Sequence, residues 1–489
     1  MNNHQQKDMK TGPILTVLLV GAIAAILNQT VLNVALPTLT TELNVFTSTA
    51  QWLITLYMLV NGVSIPVTAF LMARFSTRQL FFTAMIVFSL GTVLCGFAPN
   101  FTVLLIGRVV QALGAGIVMP LLINVVFTLF PIEKRGAAMG IVGVAIMFAP
   151  AVGPTLSGLL ITTFSWRYIF FAILPFSITA LIASFFVLKN VSEPRAAKLD
   201  VLGVIASTLG FGGILYGFGI AGKAGWGSAT VITTLTIGVI SLTLFAIRQF
   251  KTDHPLINLR IFKSREYTYS IIITFFVNCV SYAGMILIPI YLQTNRGLTA
   301  LESGLFLLPG SIAMAIMSPI AGKMFDRYGI KWLGIIGTFL LVVTTAYYTN
   351  LTYSTGIILL SLIYVIRSLG LTFLTMPMST AGLNALPAKL YGDGTAMQNT
   401  ILAISGAIGT AVMTTIMTMQ TSSFINDAVI TTGGKPDAKQ LDVITADGLL
   451  HGINSAFVGA TVFGVIALII MFLLAISINK RKKTTVMET

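Results

Sequence analysis

The sequence predicts an all-α polytopic membrane protein, and three observations carry that prediction. About fourteen long apolar segments run through the chain between short loops. Charged residues make up only 9% of it, where a soluble globular chain carries roughly 25%. Most of the positive charge falls in every second loop. An apolar run of about 20 residues crosses a ~30 Å hydrocarbon core as a helix, because lipid gives backbone N–H and C=O groups no partner. The runs are continuous, without the alternation of lipid-facing strands, so helices are expected and a barrel is not.

In order, the expected spans are 14–36, 47–71, 79–98, 101–130, 136–162, 167–188, 201–221, 228–248, 267–292, 302–321, 332–349, 354–379, 394–417 and 451–477. The N-terminal arm, the even-numbered loops and the tail hold 22 of the 29 Lys and Arg residues. Arg74, Arg78, Lys134, Arg135, Lys323, Arg327 and Lys480 are examples. The odd-numbered loops hold only Arg167, Lys223, Arg296, Lys435 and Lys439, and Arg108 and Arg367 fall inside spans. Excess positive charge stays on the cytoplasmic side, so both termini are expected there, as an even span count requires. The net charge of +14 then reflects topology and anionic headgroups, with no basic folded domain to bind nucleic acid.

The first apolar run is longer than a signal-peptide core and flows into Asn33-Val34-Ala35-Leu36-Pro37 without a convincing cleavage site. Cys95 and Cys279 sit in separate apolar spans and read as buried thiols, not a disulfide.

Features repeat along the chain. Asn28 recurs as Asn278, Arg74 as Arg327 and Arg108 as Arg367, at offsets of 250, 253 and 259 residues. The expected organisation is a six-helix bundle over 1–190, two inserted helices with a linker over 191–266, and a second six-helix bundle over 267–480. The second bundle includes a long extracellular loop at about 418–450, and a cytoplasmic tail follows at 481–489. Repeated halves mark secondary transporters, whose substrate site lies near the midplane between them.

Several motifs stand in order on these spans. Gly322-Lys323-Met324-Phe325-Asp326-Arg327-Tyr328-Gly329-Ile330-Lys331 resembles the G-x-L-x-D-R-x-G-R-K loop of the major facilitator superfamily. Leu104 to Gly116, with Arg108, Gln111 and Gly114, is similar to that superfamily's fourth-helix motif. Ala149-Pro150-Ala151-Val152-Gly153-Pro154-Thr155-Leu156-Ser157-Gly158 resembles its fifth-helix antiporter motif. Leu27 to Pro37 and Trp166-Arg167-Tyr168-Ile169-Phe170 resemble signatures of the fourteen-helix drug:proton antiporters of the EmrB/QacA/LmrB type. The resemblance covers essentially the whole chain. It implies a major facilitator fold in the bacterial cytoplasmic membrane and export of amphipathic drugs by alternating access, with the proton gradient as energy source and no bound cofactor. Three departures qualify it. Asn28 stands where relatives often have Asp. The first cytoplasmic loop has Ala73 for the motif Asp and Ser76 for its second Gly, leaving Arg74 and Arg78. Span 13 reads Asn399-Thr400 where many relatives have Arg-Gln.

Arg108 is the sharpest single residue. About seven residues into span 4, it lies roughly 10 Å deep at 1.5 Å per residue. A charge there costs at least ~2.5–3.5 kcal/mol unless it meets water or a partner. Asn28 lies at similar depth, and Gln111 is one turn from Arg108 on the same face. The three are expected to form a polar cluster facing a central cavity; the alternative is that Arg108 only ties helices together through carbonyls. Arg367 has the same two readings. Asn33, Tyr57, Asn61, Asn278, Tyr282, Gln398 and Asn399 are further cavity candidates, each against helix–helix hydrogen bonding as the alternative.

Asp326 with Arg327, between Gly322 and Gly329, reads as a cytoplasmic latch acting near a helix N-terminus; Ala73 leaves the first half without its counterpart. Pro150, Gly153, Pro154 and Gly158 would loosen span 5 and allow close helix approach. All 15 carboxylates lie in or beside loops. Glu42, Glu302, Asp200, Asp393 and, among histidines, His451 are the nearest candidates for proton coupling, each also readable as a solvated interface group.

Gly217 to Ala224 fits G-x-x-x-x-G-K, but Ala224 replaces the magnesium-binding Ser or Thr and no strand precedes it. A nucleotide is not expected, nor a metal, a nucleophile–base pair or a partner protein; the expected partners are the bilayer and small amphipathic substrates. An exporter of an endogenous lipid or metabolite, or a non-transporting sensor, are the alternatives to drug efflux.

Overall fold

Fourteen helices of 18 residues or more make up the computed structural model, which describes residues 11–191, 200–252, 255–431 and 437–487. They are α1 (Thr11–Glu42), α2 (Trp52–Arg74), α3 (Thr77–Gly96), α4 (Phe101–Leu129), α5 (Ile132–Thr163), α6 (Tyr168–Val187) and α7 (Val201–Ala224). The second seven are α8 (Ala229–Lys251), α9 (Arg265–Ile290), α10 (Ala300–Tyr328), α11 (Ile330–Tyr347), α12 (Ile357–Asn384), α13 (Tyr391–Thr431) and α14 (Ala438–Met487). Among the described residues, which leave out several side chains of α5, thirteen of the fourteen contain a stretch long and apolar enough to cross a membrane. The remaining one, α5, packs against α1 and α10.

Polar residues set the helix starts. Ser76 and Gln79 form a reciprocal capping box at α3, and Thr299 and Glu302 form another at α10; each satisfies N–H groups that the first turn leaves free. Asn100, Asp200 and Ser264 cap α4, α7 and α9. Gly329, at φ 72°, lets the chain reverse from α10 into α11 without the clash a side chain would meet.

One expectation is corrected. Instead of an open loop over about 418–450, α13 runs on to Thr431 and α14 begins at Ala438, forming a helical hairpin. Hydropathy reports compatibility with lipid, and these Thr-, Ser- and Asp-containing turns are helical without being apolar. The two helices meet where Gly448 packs on Ile425 and Gly452 on Met417 and Thr421. Asn295 also donates to the Ala446 carbonyl at 3.0 Å, and Tyr353 to Asp447 at 2.9 Å.

Apolar packing between the first six and last six helices gathers at one end. That end carries Arg74, Arg135 and Lys323 and is called the basic end below. There Tyr267, Ile271, Met376, Leu383, Leu386, Tyr391, Ala396 and Met397 join the buried core of the first six helices. At the opposite end, the cluster around Leu287, Tyr291, Tyr348, Phe306, Met413 and Phe457 is built from the last six helices alone. The α7–α8 hairpin touches both sets. Trp52 of α2 stacks on Tyr216 of α7 at 5.6 Å, and Trp226 of the hairpin donates to Thr415 of α13 at 2.7 Å.

Candidate functional site

The cluster expected around Arg108 is assembled. Asn28 of α1, Tyr57 of α2, and Arg108 and Gln111 of α4 meet with almost no exposed surface. Arg108 donates to the Leu53 carbonyl at 3.2 Å, the Asn28 carbonyl at 3.3 Å and Gln111 Oε1 at 3.1 Å. Its guanidinium lies 4.1 Å from the centre of the Tyr57 ring, a desolvated cation–π contact. Gln111 Nε2 donates to Asn28 Oδ1 at 3.3 Å and to Thr92 at 2.9 Å. Thr92 and Cys95 of α3, whose thiol approaches Gln111 Oε1 at 3.5 Å, are members that the sequence did not point to.

The cluster lies inside the first helix bundle and does not face an accessible cavity in this state, which corrects the expectation. A guanidinium buried among carbonyls is less costly than one in lipid, so the bundle interior wins. Among the described residues, two of the cluster's donors have no hydrogen-bond partner: Arg108 Nη2 and Asn28 Nδ2.

In the last six helices Arg367 repeats the theme. Buried on α12, it donates to the Val280 carbonyl of α9 at 2.6 Å, and Gly284 leaves room for its guanidinium; its Nε has no partner. Asn278 bonds Leu402 and Ser405 of α13 at 2.9 and 2.7 Å, and Gln398 of α13 bonds Ser379 of α12 at 2.8 and 3.1 Å. Both are helix–helix ties. Asn399 bonds its own helix at Thr395, Tyr282 packs on Gly406, and half-buried Asn61 lies beside Gly116. The side chains of Asn33, Pro150 and Pro154 lie outside the described residues.

Asp326 ties α10 to α5 across the two helix sets. Both Asp326 oxygens accept backbone N–H bonds from α5, from Gly136 at 2.7 Å and Ala137 at 2.8 Å. A stripe of small residues makes that approach possible: Gly136, Gly140 and Gly143 of α5 face Gly322 and Ser318 of α10. Ser318 donates to the Gly140 carbonyl at 2.8 Å. Arg327 is exposed and lies over the Tyr328 ring at 5.2 Å, so Asp326 does not engage it as expected. Arg78 instead caps α6, donating to the Phe185 carbonyl at 2.7 Å, and Arg74 is exposed at the end of α2. Gly153 packs directly on Thr30 of α1, whereas Gly158 faces open space, so only the first of these glycines serves close approach here.

A second tie across the basic end was missed. Arg135 of α5 donates to Asn384 Oδ1 at 2.8 Å and the Tyr391 hydroxyl at 2.9 Å, with further bonds to Phe127 and Phe130 carbonyls. One signal for it existed. Pro131 and Pro387 stand 256 residues apart, as do Arg135 and Tyr391, so equivalent positions of the repeat meet each other. The same offset pairs Gly136 with Gly392, where an added Cβ would lie 3.7 Å from the side-chain end of Met72, the residue before Ala73 in sequence. The place of the missing counterpart to Asp326 is therefore occupied by an alanine.

The proton-coupling candidates are dispersed. Glu42 accepts from the Trp166 indole at 2.8 Å, Glu302 serves in its capping box, and Asp393 accepts from the Asn258 backbone at 3.0 Å. His451 stacks on Phe424 at 5.3 Å. Asp200 caps α7 through Gly203 and bonds Arg248 of α8 at 2.7 Å. Burial pushes its carboxyl up, but the Gly203 N–H, Arg248 and Gln249 outweigh that and hold it below its ordinary value. None of these groups joins the Arg108 cluster.

Comparison with known proteins agrees with this architecture. The chain is 45% identical to YhcA of Bacillus subtilis (strain 168), an uncharacterized MFS-type transporter, covering 96% of this chain and 94% of that one. It is 42% identical to the lincomycin resistance protein LmrB of the same organism, covering 94% and 95%. The crystal structure of the human organic anion transporter MFSD10 superposes with a TM-score of 0.65 at 13% identity, over 94% of this chain and 99% of that one; at that identity the likeness concerns the fold. The Major Facilitator Superfamily model matches residues 18–410. The chain is thus a multi-pass protein of the cell membrane and belongs to the major facilitator superfamily.

Proposed function

We propose that the chain is a secondary active exporter of amphipathic drugs that alternates between two access states. The observation that carries this reading is the asymmetry of the contacts between the two helix sets. Asp326 and Arg135 hold the basic end shut, while the buried core at the opposite end belongs to one set alone. Positive charge on retained loops makes the basic end cytoplasmic, with both termini there; the state is then open outward. Two of the buried arginines, Arg108 and Arg367, sit on α4 and α12, equivalent helices of the repeat. Resistance proteins among the relatives support drugs as the substrate class.

Coupling to the proton gradient belongs to the same proposal, with no bound cofactor and no chemical transformation of the substrate. The latch provides a place for it: a carboxylate that must release two N–H bonds whenever the basic end opens. The test is expression in a drug-sensitive bacterial host. Lower accumulation of amphipathic drugs, abolished by an uncoupler, is the expected result. Unchanged accumulation across a broad panel, with the protein present in the membrane, would refute it.

A further inference from the structure

Charge inside the helix bundles is one-sided. Among the described residues, the buried charged side chains are Arg108, Arg135, Asp200 and Arg367. Asp200, at the end of α7, is already paired with Arg248, and Arg135 lies at the basic end among neutral acceptors. Deep in the helices this leaves two arginines and no acid. Among the described residues each also keeps an N–H without a hydrogen bond, Nη2 of Arg108 and Nε of Arg367, and Asn28, whose carbonyl Arg108 Nη1 reaches at 3.3 Å, keeps its Nδ2 without one. A buried cation whose donors exceed its acceptors is completed by an acceptor from outside, and by an anionic one best.

We propose that the Arg108–Asn28 pair is a subsite for a negatively charged oxygen, and that the preferred substrates are amphiphiles bearing a carboxylate. This rests on the export reading and names its substrate class. Arg108 Nη2 and Asn28 Nδ2 are the two donors that such an oxygen accepts from. Gln111 and the Leu53 and Asn28 carbonyls hold the rest of the guanidinium in place. The Tyr57 ring, 4.1 Å from the guanidinium, covers the subsite in this state, so binding includes displacement of that ring. Asn28 is the determinant. An aspartate there would neutralise Arg108 from within and repel the substrate's own carboxylate.

The experiment compares three probes with one apolar body: a carboxylic acid, its methyl ester, and an analogue with a quaternary ammonium group. Binding to purified full-length protein and flux in proteoliposomes are both measured. The acid is expected to bind at least about tenfold tighter than the ester, a difference a charge-assisted pair readily supplies. In Asn28→Asp the acid-to-ester ratio is expected to fall by about tenfold or more, whatever the absolute affinities. Equal binding of acid and ester by the unmodified protein would overturn the inference while leaving export intact. Competition by chloride as effective as by the acid would also overturn it, as a halide site. Acid-selective binding without flux would uphold the subsite and refute export.

Discussion

Replacing Asp326 with Asn should open the basic end. The carboxylate accepts two backbone N–H bonds from α5, at 2.7 and 2.8 Å. An amide of the same shape has one acceptor oxygen, and its NH2 would face the other N–H. One hydrogen bond to a charged group is lost, worth about 1.5–3 kcal/mol. At 1.4 kcal/mol per factor of ten, the closed-to-open ratio falls about 10- to 150-fold. Spin labels at Lys134→Cys and Lys323→Cys, exposed on α5 and α10 beside the latch, report the separation by electron–electron double resonance; the buried Cys95 and Cys279 are replaced by Ala. Asp326→Asn should move population from a short to a longer distance and slow cycling more than it weakens substrate binding. Identical distance distributions, or a large affinity loss with unchanged turnover, would refute the latch.

Arg108→Ala should abolish transport at matched membrane abundance, and Arg108→Lys should largely fail, because an ammonium cannot serve Leu53, Asn28 and Gln111 in the fork's geometry; near-normal efflux by both removes Arg108 from the mechanism. Gly322→Ala should lose most transport, since a Cβ there meets the Gly136 backbone, and the label pair above should read a wider basic end. Ala73→Asp should supply the absent second latch beside Gly392 and lengthen the closed state, seen as slower exchange between the two label distances. Asp200→Asn should lower the thermal midpoint at neutral pH. Because the folded carboxyl lies below its ordinary value of 3.8, its contribution is present above that pH and lost as pH falls through the folded value, so the difference between variants should vanish in strong acid.

Periodic apolar runs made the helices legible, since lipid tolerates little else, and Arg108, Gln111 and Asn28 were legible because polar groups at that depth must find one another. What they face was not. Helical spacing places residues on a face, but whether that face meets a cavity or a neighbouring helix depends on packing between distant segments. Asn278 and Gln398 show this: their partners Ser405 and Ser379 give no sign in the sequence of being acceptors. Asp326 was recognised from its motif, yet its partners are backbone N–H groups of Gly136 and Ala137, which carry no side-chain signature. Arg135 was read as loop charge because its bonds reach across the repeat to Asn384 and Tyr391. The α13–α14 hairpin was missed because hydropathy is silent about polar helices outside lipid.

Substrate flux in proteoliposomes with an imposed pH gradient tests alternating access most directly. Purified protein should move an amphipathic substrate against its concentration gradient when protons run the opposite way, and should support counterflow without a gradient. In Arg108→Ala both activities should vanish in a protein that still folds. Binding of the same substrates with no flux and no counterflow in the unmodified protein would contradict it.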